Sequence, residues 1–504
     1  MPTTQHLWPR ALAHVNKFHG HFDDEPVSPS QASDAPTGPL PLPAIPEQVH
    51  LERRDQLSLV VSQNVLVQSF EGWGTSLAWW ASFAGQQNMN VQTNLLDAFF
   101  NVNSGLGFNI VRYNIGAGAR QDELQYYGNY RAMPAWQAAS NVAMDPTADI
   151  GQLNILRGAM ARGVNIIEAF ANSPPPWMTI SGSSMGQPDG SDNLSPARYA
   201  EYANYMARAV QWLNSQGVPV RTVAAMNEPS AGWWLQHKDS NKSQEGCAIN
   251  RANHNGIYQA MSLALQRFGS TTVISAADEN SLTAASDSLK LMGNFPRVQQ
   301  INIHGYFATI DFDTNLVNEF RARVGNRRLW MSEFGLPGQD MTSGIALALS
   351  IVRDLVQLRV QAWVYWQALD EGDEWGLINA PLASTHFENG LPQIGKQYWV
   401  IAQFCKHIRP GWSIVGTTAT ADLRTVAAVP PNRSSLVIVV VNKGSNDGFI
   451  SLDGSAHVPT QGFVSGWRTS FSEDYVQIGS VRHEGGKLNV QVPALSVTTY
   501  QYLV

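Results

Sequence analysis

The feature that most constrains the fold is a series of short apolar segments separated by stretches long enough for a helix. Runs of this kind are typical of parallel strands that are buried on both faces and joined by crossover helices. Eight such strand–helix units predict an α/β fold, a (β/α)8 TIM barrel. The eight segments comprise residues 68–73, 108–113, 164–170, 222–226, 272–276, 300–304, 328–332 and 362–366.

One of the intervening helices is well marked in the sequence. Ser195 can cap its first turn, Pro196 suits the position that follows, and Gly217 can end it. Between these residues, apolar side chains such as Tyr202 and Met206 recur at near-helical spacing. The pattern therefore predicts an amphipathic helix with one face on the core.

The sequence changes character after Pro410-Gly411, where strand-like runs follow one another without a long helical pattern. This pattern predicts an associated C-terminal antiparallel β-sandwich, to which the early 57–67 segment can add strands. The tail is rich in proline and serine, a composition typical of flexible segments. The predicted organisation is a flexible tail at 1–50, strands joining the sandwich at 51–67, a catalytic barrel at 68–408 and the sandwich at 409–504.

The composition argues against several classes of function. The 504 residues carry a net charge of −7 and no long basic run, which disfavours a nucleic-acid or anionic-membrane partner. We expect no membrane span, because no stretch of about 18 apolar residues occurs. Two cysteines cannot form a disulfide framework. The 16 tryptophans and 14 tyrosines either offer flat faces to sugar rings or fill a core, and composition leaves both interpretations open.

Two glutamates end apolar runs, Glu228 in the context Asn-Glu-Pro and Glu333 in the context Ser-Glu-Phe-Gly. On the barrel interpretation they follow the fourth and seventh strands, whose carboxyl ends face the active site. Glycosidic cleavage needs one carboxyl group to protonate the leaving oxygen and a second to stabilise the sugar cation. The pair is therefore the leading catalytic candidate. Weaker candidates near predicted strand ends are Glu71, Glu168, Asp278 and Glu279.

Several motifs resemble those of glycoside hydrolase family 30. Asn227-Glu228-Pro229 is similar to the acid/base motif of retaining glycosidases built on TIM barrels, and the segment at 72–81, Gly-Trp-Gly-Thr-Ser-Leu-Ala-Trp-Trp-Ala, resembles the endo-β-1,6-galactanase branch of the family. The segment at 493–500 is similar to the closing strand of the family's sandwich domain. The resemblance covers residues 55–504. It implies a retaining endo-glycosidase that acts on β-1,6-galactan, including arabinogalactan side chains.

The resemblance also implies roles for individual residues. Glu228 would be the acid/base and Glu333 the nucleophile. Asn227 would bond the sugar's 2-hydroxyl, and Arg112 would lie near Glu333 and favour its ionised form. His304 is expected to be a hydrogen-bonded structural residue rather than a catalytic base. The residues predicted to bind the substrate are Trp73, Arg112, Trp177, Asn227, Trp233, Tyr306 and Trp366.

The sequence leaves other questions open. No metal-ligand cluster or phosphate loop stands out, so we expect no cofactor and no metal, and we expect a monomer whose partner is a polysaccharide or oligosaccharide. The family resemblance implies secretion, although the N-terminus lacks the apolar core of a secretory signal, so the localisation stays undetermined. The alternatives are another family 30 specificity (β-1,6-glucanase, glucosylceramidase or xylanase) or a non-catalytic carbohydrate-binding protein.

Overall fold

The computed structural model describes residues 57–127, 131–236, 243–371, 375–380, 393–458 and 461–503. The predicted tail at 1–50 lies outside these residues. The first described element is strand β1 (Leu57–Val67), and the barrel strands follow it in sequence. They are β2 (Gly72–Ser76), β3 (Ile110–Asn114), β4 (Ile166–Phe170), β5 (Val220–Ala224), β6 (Val273–Glu279), β7 (Val298–His304), β8 (Arg328–Phe334) and β9 (Ala362–Gln367).

Strands β2 to β9 form a closed parallel barrel in sequence order, with β9 pairing back to β2. This confirms the predicted TIM barrel. All eight predicted segments overlap an observed strand, but the first begins four residues early. The chain at Phe70 and Glu71 bonds to the backbone of Trp412 and Gln361 instead, and β2 begins only at Gly72.

Helices connect the barrel strands and cover their outer surface. Their inner faces are buried in one apolar cluster with the outward side chains of the strands. The well-marked helix is confirmed, because Ser195 and Pro196 start a single turn that leads into it and Gly217 follows its end. The helices are α1 (Trp80–Ala84), α2 (Met89–Phe100), α3 (Ile150–Met160), α4 (Tyr199–Ser215), α5 (His254–Arg267), α6 (Leu282–Leu291), α7 (Thr314–Val324), α8 (Met341–Arg353) and α9 (Lys396–Cys405).

The remaining strands lie after the barrel. Two short ones, β10 (Leu369–Asp370) and β11 (Ile378–Asn379), pair in parallel. The others belong to a second sheet, which confirms the predicted C-terminal β-rich unit. They are β12 (Ser413–Thr417), β13 (Leu423–Val429), β14 (Ser435–Asn442), β15 (Gly448–Asp453), β16 (Gln461–Thr469), β17 (Val476–Glu484), β18 (Lys487–Val492) and β19 (Ser496–Leu503).

The second sheet encloses a core of its own. Its order is β1-β12-β13-β14-β19-β16-β17-β18-β15, and the parallel pairing of β1 with β15 closes it, while its other pairs are antiparallel. Strand β1 therefore contributes to a sheet whose other strands lie more than 340 residues later in the chain. Inward apolar side chains such as Leu59, Ile438 and Tyr502 fill the interior. The domain boundaries given above stay a prediction.

One helical stretch of the described chain, Met341–Leu358, is apolar and long enough to cross a membrane, and 67% of it is buried inside the protein. It consists of α8 and a π-helical turn, Asp354–Leu358, that continues it. The helix packs between the barrel and strands β13, β14 and β19. Its apolar character is accounted for by this position, where both sides of the helix meet protein.

Candidate active site

The two predicted glutamates lie side by side at the carboxyl end of the barrel. Glu228 follows β5 and Glu333 lies on β8, and both side chains are buried. One carboxylate oxygen of each, together with a ring nitrogen of His304, lie within 4.8 Å of one another. The structure thus brings together two residues that are about a hundred positions apart in sequence.

Glu333 is held by three neighbours. Arg112 Nη1 donates to its Oε2 at 2.9 Å, the Tyr306 hydroxyl donates to Oε1 at 3.1 Å, and His304 Nδ1 lies 3.5 Å from Oε1. Burial raises the pKa of Glu333, while the cationic side chains of His304 and Arg112 oppose that rise. The prediction that Arg112 lies beside Glu333 is confirmed.

His304 links the two glutamates. Its Nδ1 donates to Oε1 of Glu228 at 2.8 Å, and its Nε2 lies 3.3 Å from Oδ1 of Asp278. Although burial alone would lower it, the pKa of His304 is raised to about 10, because Glu333, Asp278 and Glu228 all favour the imidazolium. The predicted structural histidine is therefore a cation in direct contact with the candidate acid/base.

Asp278 occupies the same network and was only a weaker candidate from the sequence. Its Oδ2 accepts from Arg112 Nη2 at 2.6 Å, and its Oδ1 accepts from Ser332 at 2.7 Å. Burial would raise the pKa of Asp278, but Arg112 and His304 outweigh it and lower the pKa to about 2. Its backbone carbonyl also accepts from the amide of Glu228 at 2.7 Å. Asp278 thus contacts both cations of the site and the backbone of Glu228.

A further buried carboxylate, Glu168 on β4, lies next to Arg112. It accepts from Arg112 Nε at 3.1 Å, and Thr222, Gln300 and Asn302 each donate to it at 2.8 to 2.9 Å. A buried charge is tolerated when it is paired and fully hydrogen-bonded. This polar layer inside the barrel therefore fixes the position of the Arg112 guanidinium.

Irregular ends of β8 and β6 turn the carboxylates of Glu333 and Asp278 towards the interior of the barrel. Side chains alternate along a strand, so Trp330 and Ser332 of β8 face the barrel interior and Glu333 should face outward. A register shift against β9 between Met331 and Phe334 breaks this alternation. A comparable shift in β6, between Ala277 and Glu279, accompanies a positive φ of 51° at Asp278. Bulges of this kind redirect side chains next to functional sites.

Glu228 also has an unusual backbone. Its φ is 45°, in the left-handed region that non-glycine residues seldom occupy. The hydrogen bond from its amide to Asp278 and a bond to its carbonyl oxygen from Trp234 Nε1, 2.8 Å long, hold this conformation. Strain that is held by its surroundings in this way is common at functional sites.

The trio of Glu228, His304 and Glu333 is the one group in the described part of the chain with the spacing of metal ligands. A histidine must be neutral to bind a metal. His304 is instead kept protonated by three carboxylates, and Arg112 already neutralises Glu333. These contacts place the trio within an ion-pair network.

Among the aromatic residues predicted to bind substrate, Trp73 is not at the site, so the prediction for this residue is wrong. It is fully buried between the barrel and α9, where its Nε1 donates to Ile408 O at 2.7 Å and its ring packs on Phe70 and Phe404. Its side chain points to the outer side of the barrel, towards α9, and the opposite side of the strand carries Gly72 and Gly74, where a Cβ would collide with Asn109 and Ile110. Trp73 is a core residue, not part of a sugar-binding wall.

The other predicted aromatic residues lie on the carboxyl side of the barrel. Trp366, on β9, is buried edge-on against Trp79 with ring centres 5.0 Å apart. Trp177 is half-buried, and its Nε1 donates to Gln137 O at 2.9 Å. Tyr306 contacts Glu333 directly, as described above. Trp233, on the loop after Glu228, is exposed.

Buried amide groups at the strand ends are further candidates, and only one of them was predicted. Oδ1 of Asn227 has no hydrogen-bond partner among the described residues. The side-chain amides of Asn114, Asn172 and Gln367 likewise lack partners there, although all three are buried. Buried polar groups are normally satisfied, so these amides are suited to bonding substrate hydroxyls. The sequence could have indicated Asn114, Asn172 and Gln367, because each lies at or just after the end of a barrel strand (β3, β4 and β9).

The two remaining weaker candidates lie outside the site. Glu71 is at the opposite end of the barrel, where it binds Arg221, Arg328 and the indole of Trp330. Glu279 accepts from Ser230 and Ser288 behind the β6 strand end. Both are structural groups with hydrogen-bond partners of their own.

Known proteins share the sequence and the architecture described here. A family model described as O-Glycosyl hydrolase family 30 matches residues 56–374. An endo-β-1,6-galactanase of Hypocrea rufa is 32% identical over 405 residues, which cover 75% of this chain and 79% of that protein. An exo-β-1,6-galactobiohydrolase of Bifidobacterium longum subsp. longum is 25% identical over 410 residues, 60% of this chain and 26% of that protein.

The structure of this chain also resembles that of a solved catalytic domain. The catalytic domain of GH30 xylanase C from Talaromyces cellulolyticus aligns with a TM-score of 0.67 and 19% identity, covering 89% of this chain and 100% of that chain. At this level of identity the likeness shows the shared fold, a barrel with an attached β-domain.

Proposed function

The chain belongs to glycoside hydrolase family 30, and from that premise we propose that it is a retaining endo-glycosidase that hydrolyses β-1,6-linked galactan. Membership of the family makes it a glycoside hydrolase. The finer proposal, on mechanism and substrate, is supported by the geometry of Glu228 and Glu333 and by the 32% identity to an endo-β-1,6-galactanase.

The observation that carries the mechanism is the proximity of the two carboxylates. Retaining glycosidases hold their carboxyl groups about 5 Å apart, whereas inverting enzymes leave about 6.5 to 9.5 Å for a water molecule. Glu228 and Glu333 have oxygens within 4.8 Å of one another. This close spacing, without the wider gap that an inverting enzyme needs for water, supports a double displacement.

Each glutamate has a distinct role in this proposal. Glu333, whose carboxylate form is favoured by the positive charges of Arg112 and His304, attacks the anomeric carbon and forms a glycosyl ester while the glycosidic bond breaks. Glu228 gives its proton to the leaving oxygen. It then takes a proton from water, which attacks the same carbon and breaks the ester. Asn227, whose side-chain oxygen has no partner among the described residues, would accept a hydrogen bond from the sugar's 2-hydroxyl.

The proposal is tested by offering the purified protein a panel of β-1,6-galactan, β-1,6-glucan, xylan and glucosylceramide. We expect rapid release of short oligomers from β-1,6-galactan, and proton NMR at early times should show the β-anomer of the product. Turnover of glucan without galactan would reject the substrate, and an initial α-anomer would reject retention. These two failures are independent of each other.

Exo action is a second candidate, and the likeness to an exo-β-1,6-galactobiohydrolase favours it. The two modes differ in their first products. An endo-enzyme releases a mixture of oligomer lengths from the start, whereas an exo-enzyme of that type releases only the disaccharide. Product sizes at low conversion therefore distinguish them.

A further inference from the structure

A buried carboxyl group that the mechanism does not use lies between three loops on the carboxyl side of the barrel. Glu245 is fully buried on the loop between β5 and α5. Its Oε1 accepts from the amides of Gly118 at 3.1 Å and Met133 at 2.9 Å, both on the loop between β3 and α3. The amide of the next residue, Gly246, donates to Ser184 O at 2.8 Å on the loop between β4 and α4. Glu245 and Gly246 therefore join the loops that follow β3, β4 and β5.

The loops after β3 and β4 are also bonded to each other beside this carboxyl group. Ser184 Oγ donates to Gly118 O, and the Tyr127 hydroxyl lies 2.6 Å from the same Oγ. The backbone of all three loops thus meets in one buried set of hydrogen bonds. We call this set the loop junction, and its residues are Gly118, Met133, Ser184, Glu245 and Gly246.

The loop junction is connected to the backbone of Glu228 through Trp234. The ring of Trp234 packs directly on Gly246, where a Cβ would lie 2.0 Å from the ring atom Cε3. Only a glycine admits the ring at this distance. Trp234 Nε1 donates to Glu228 O at 2.8 Å and so supports the left-handed backbone of that residue. A displacement of Gly246 would therefore move the indole and the backbone that directs the candidate acid/base.

Among the described residues, no positive charge is paired with the Glu245 carboxyl group. Its Oε2 bonds none of them. The titratable side chains that face it are Asp149 at the start of α3, Tyr127 after β3, and Tyr202 and Tyr205 of α4. Burial raises the pKa of Glu245 to about 8, and Asp149 adds to the rise, although three backbone amides oppose it. The group therefore keeps its proton at neutral pH and loses it in mild alkali.

We propose that Glu245 is a positioning residue for Glu228, and that it holds the loop junction closed only while it carries its proton. The inference rests on the proposed function for the role of Glu228. A buried charge without a partner is unfavourable, so the ionised carboxylate requires water at Oε2. Water reaches Oε2 when the three loops separate, and their separation releases Gly246 and Trp234. The protein should therefore bind galactan more weakly as the pH rises through about 8.

Hydrogen exchange tests the loop junction without any substrate. The full chain and its Glu245→Gln variant are compared at the same pH, so the intrinsic exchange rate cancels. Glutamine keeps an oxygen acceptor but does not ionise, so the two proteins should exchange alike at about pH 6.5. At about pH 9 the amides of Gly118 and Met133 should exchange about fivefold faster in the wild type, because its buried carboxylate is then unpaired. Equal exchange in the two proteins at both pH values would overturn the inference.

Steady-state kinetics test the connection to the acid/base. The KM of the wild type for galactan should rise about three- to tenfold at about pH 9, one unit above the pKa of Glu245, whereas the KM of Glu245→Gln should stay constant. Trp234→Phe keeps a ring on Gly246 but removes the donor to Glu228 O. It should slow cleavage of the polymer about tenfold and spare an activated aryl galactoside, whose leaving group needs no proton from the acid.

Further variants separate positioning from other effects. Glu245→Ala removes the acceptor and should show the raised KM at every pH. If this variant fails to fold, the comparison of wild type with Glu245→Gln still decides. Glu319→Gln, a change at an exposed ion pair on α7, should keep the wild-type dependence of KM on pH.

The possible failures can be told apart. A KM that rises with pH in Glu245→Gln as in the wild type would overturn the role of the Glu245 proton. Normal cleavage of the polymer by Trp234→Phe would overturn the connection to Glu228. Absence of galactan cleavage by the wild type would reject the proposed function, and hydrogen exchange would still decide whether the loop junction opens.

Discussion

Nδ1 of His304 lies 2.8 Å from Oε1 of Glu228. Because the imidazole is protonated, this contact is a charge-assisted hydrogen bond that fixes one oxygen of the candidate acid/base. None of the described residues bonds the other oxygen, Oε2, which is left for the leaving group. The same imidazolium lies beside Glu333 and Asp278, so one cation stabilises three carboxylates.

Substitution of the two glutamates should separate their roles. Glu333→Ala should abolish the glycosyl-enzyme. Glu228→Ala should slow substrates with poor leaving groups by about 10² to 10⁴, the usual contribution of a general acid. Added azide should restore Glu228→Ala turnover of an activated aryl galactoside, because azide needs no base to attack the intermediate. Rates on polymer and on aryl substrate measure both effects. Glu201→Ala, a change at an exposed ion pair on α4, is the control and should keep normal activity. Near-normal activity on polymer in both Glu333→Ala and Glu228→Ala would contradict the mechanism.

Asp278→Asn should lower the pKa of His304. Asp278 is one of the three carboxylates that raise that pKa to about 10, and an opposite charge at this distance shifts a pKa by about one to three units. The imidazole NMR signals of His304, followed against pH, measure the change directly. Asp287→Asn removes a carboxylate at an exposed pair with Lys290 and should leave the titration unchanged. An unaltered His304 titration in Asp278→Asn would contradict the charge network.

The stability of the protein should fall as the pH rises above neutrality. His304 has a folded-state pKa of about 10, above the unfolded value of about 6.5. Its contribution is therefore complete below about pH 6.5 and is lost as the pH rises towards 10. Urea unfolding should show a decline on the order of 3 to 5 kcal/mol from this group over that window.

His304→Gln should flatten that decline. His457→Gln, a change at a half-buried histidine that bonds the backbone of Ser62, should not. Burial raises the pKa of Glu245 to about 8, so this carboxyl also favours the folded state at low pH and adds to the decline. Glu245 is present in both variants, and its contribution cancels in the comparison. An equal slope in wild type and His304→Gln would reject the assignment.

Trp73→Ala should lower the stability of the protein, whereas Trp366→Ala should weaken its binding of substrate. Trp73 is a core residue, so its loss should cost about 3 to 5 kcal/mol of unfolding free energy with little change in the KM of the folded enzyme. Trp366 lies at the carboxyl end of β9 against Trp79, and its loss should raise the KM for galactan. Denaturation and steady-state kinetics on both variants measure the contrast. A raised KM in Trp73→Ala would restore the original sequence-based prediction for that residue.

Local patterns in the sequence were sufficient to predict the barrel and the proximity of Glu228 and Glu333 at one end of it. Buried strands, capped helices and short motifs such as Asn227-Glu228-Pro229 are encoded by neighbouring residues, because strand burial and helix capping depend on local periodicity. The position of Arg112 beside Glu333 was also anticipated, but from the family resemblance. The bounds of β2 and the orientation of Trp73 were not anticipated. Both depend on the segments that pack against the strand, which are distant in sequence.

The sequence by itself determined that eight parallel strands present Glu228 and Glu333 at one end of a barrel. Only the tertiary structure decided how those groups are charged and which way they face. Strict alternation would have turned Glu333 and Asp278 away from the site, and the register shifts in β8 and β6 turned them inward. The raised pKa of His304 comes from carboxylates on three other parts of the chain. Register shifts and through-space charges arise from contacts between distant segments, and no local pattern of residues records them.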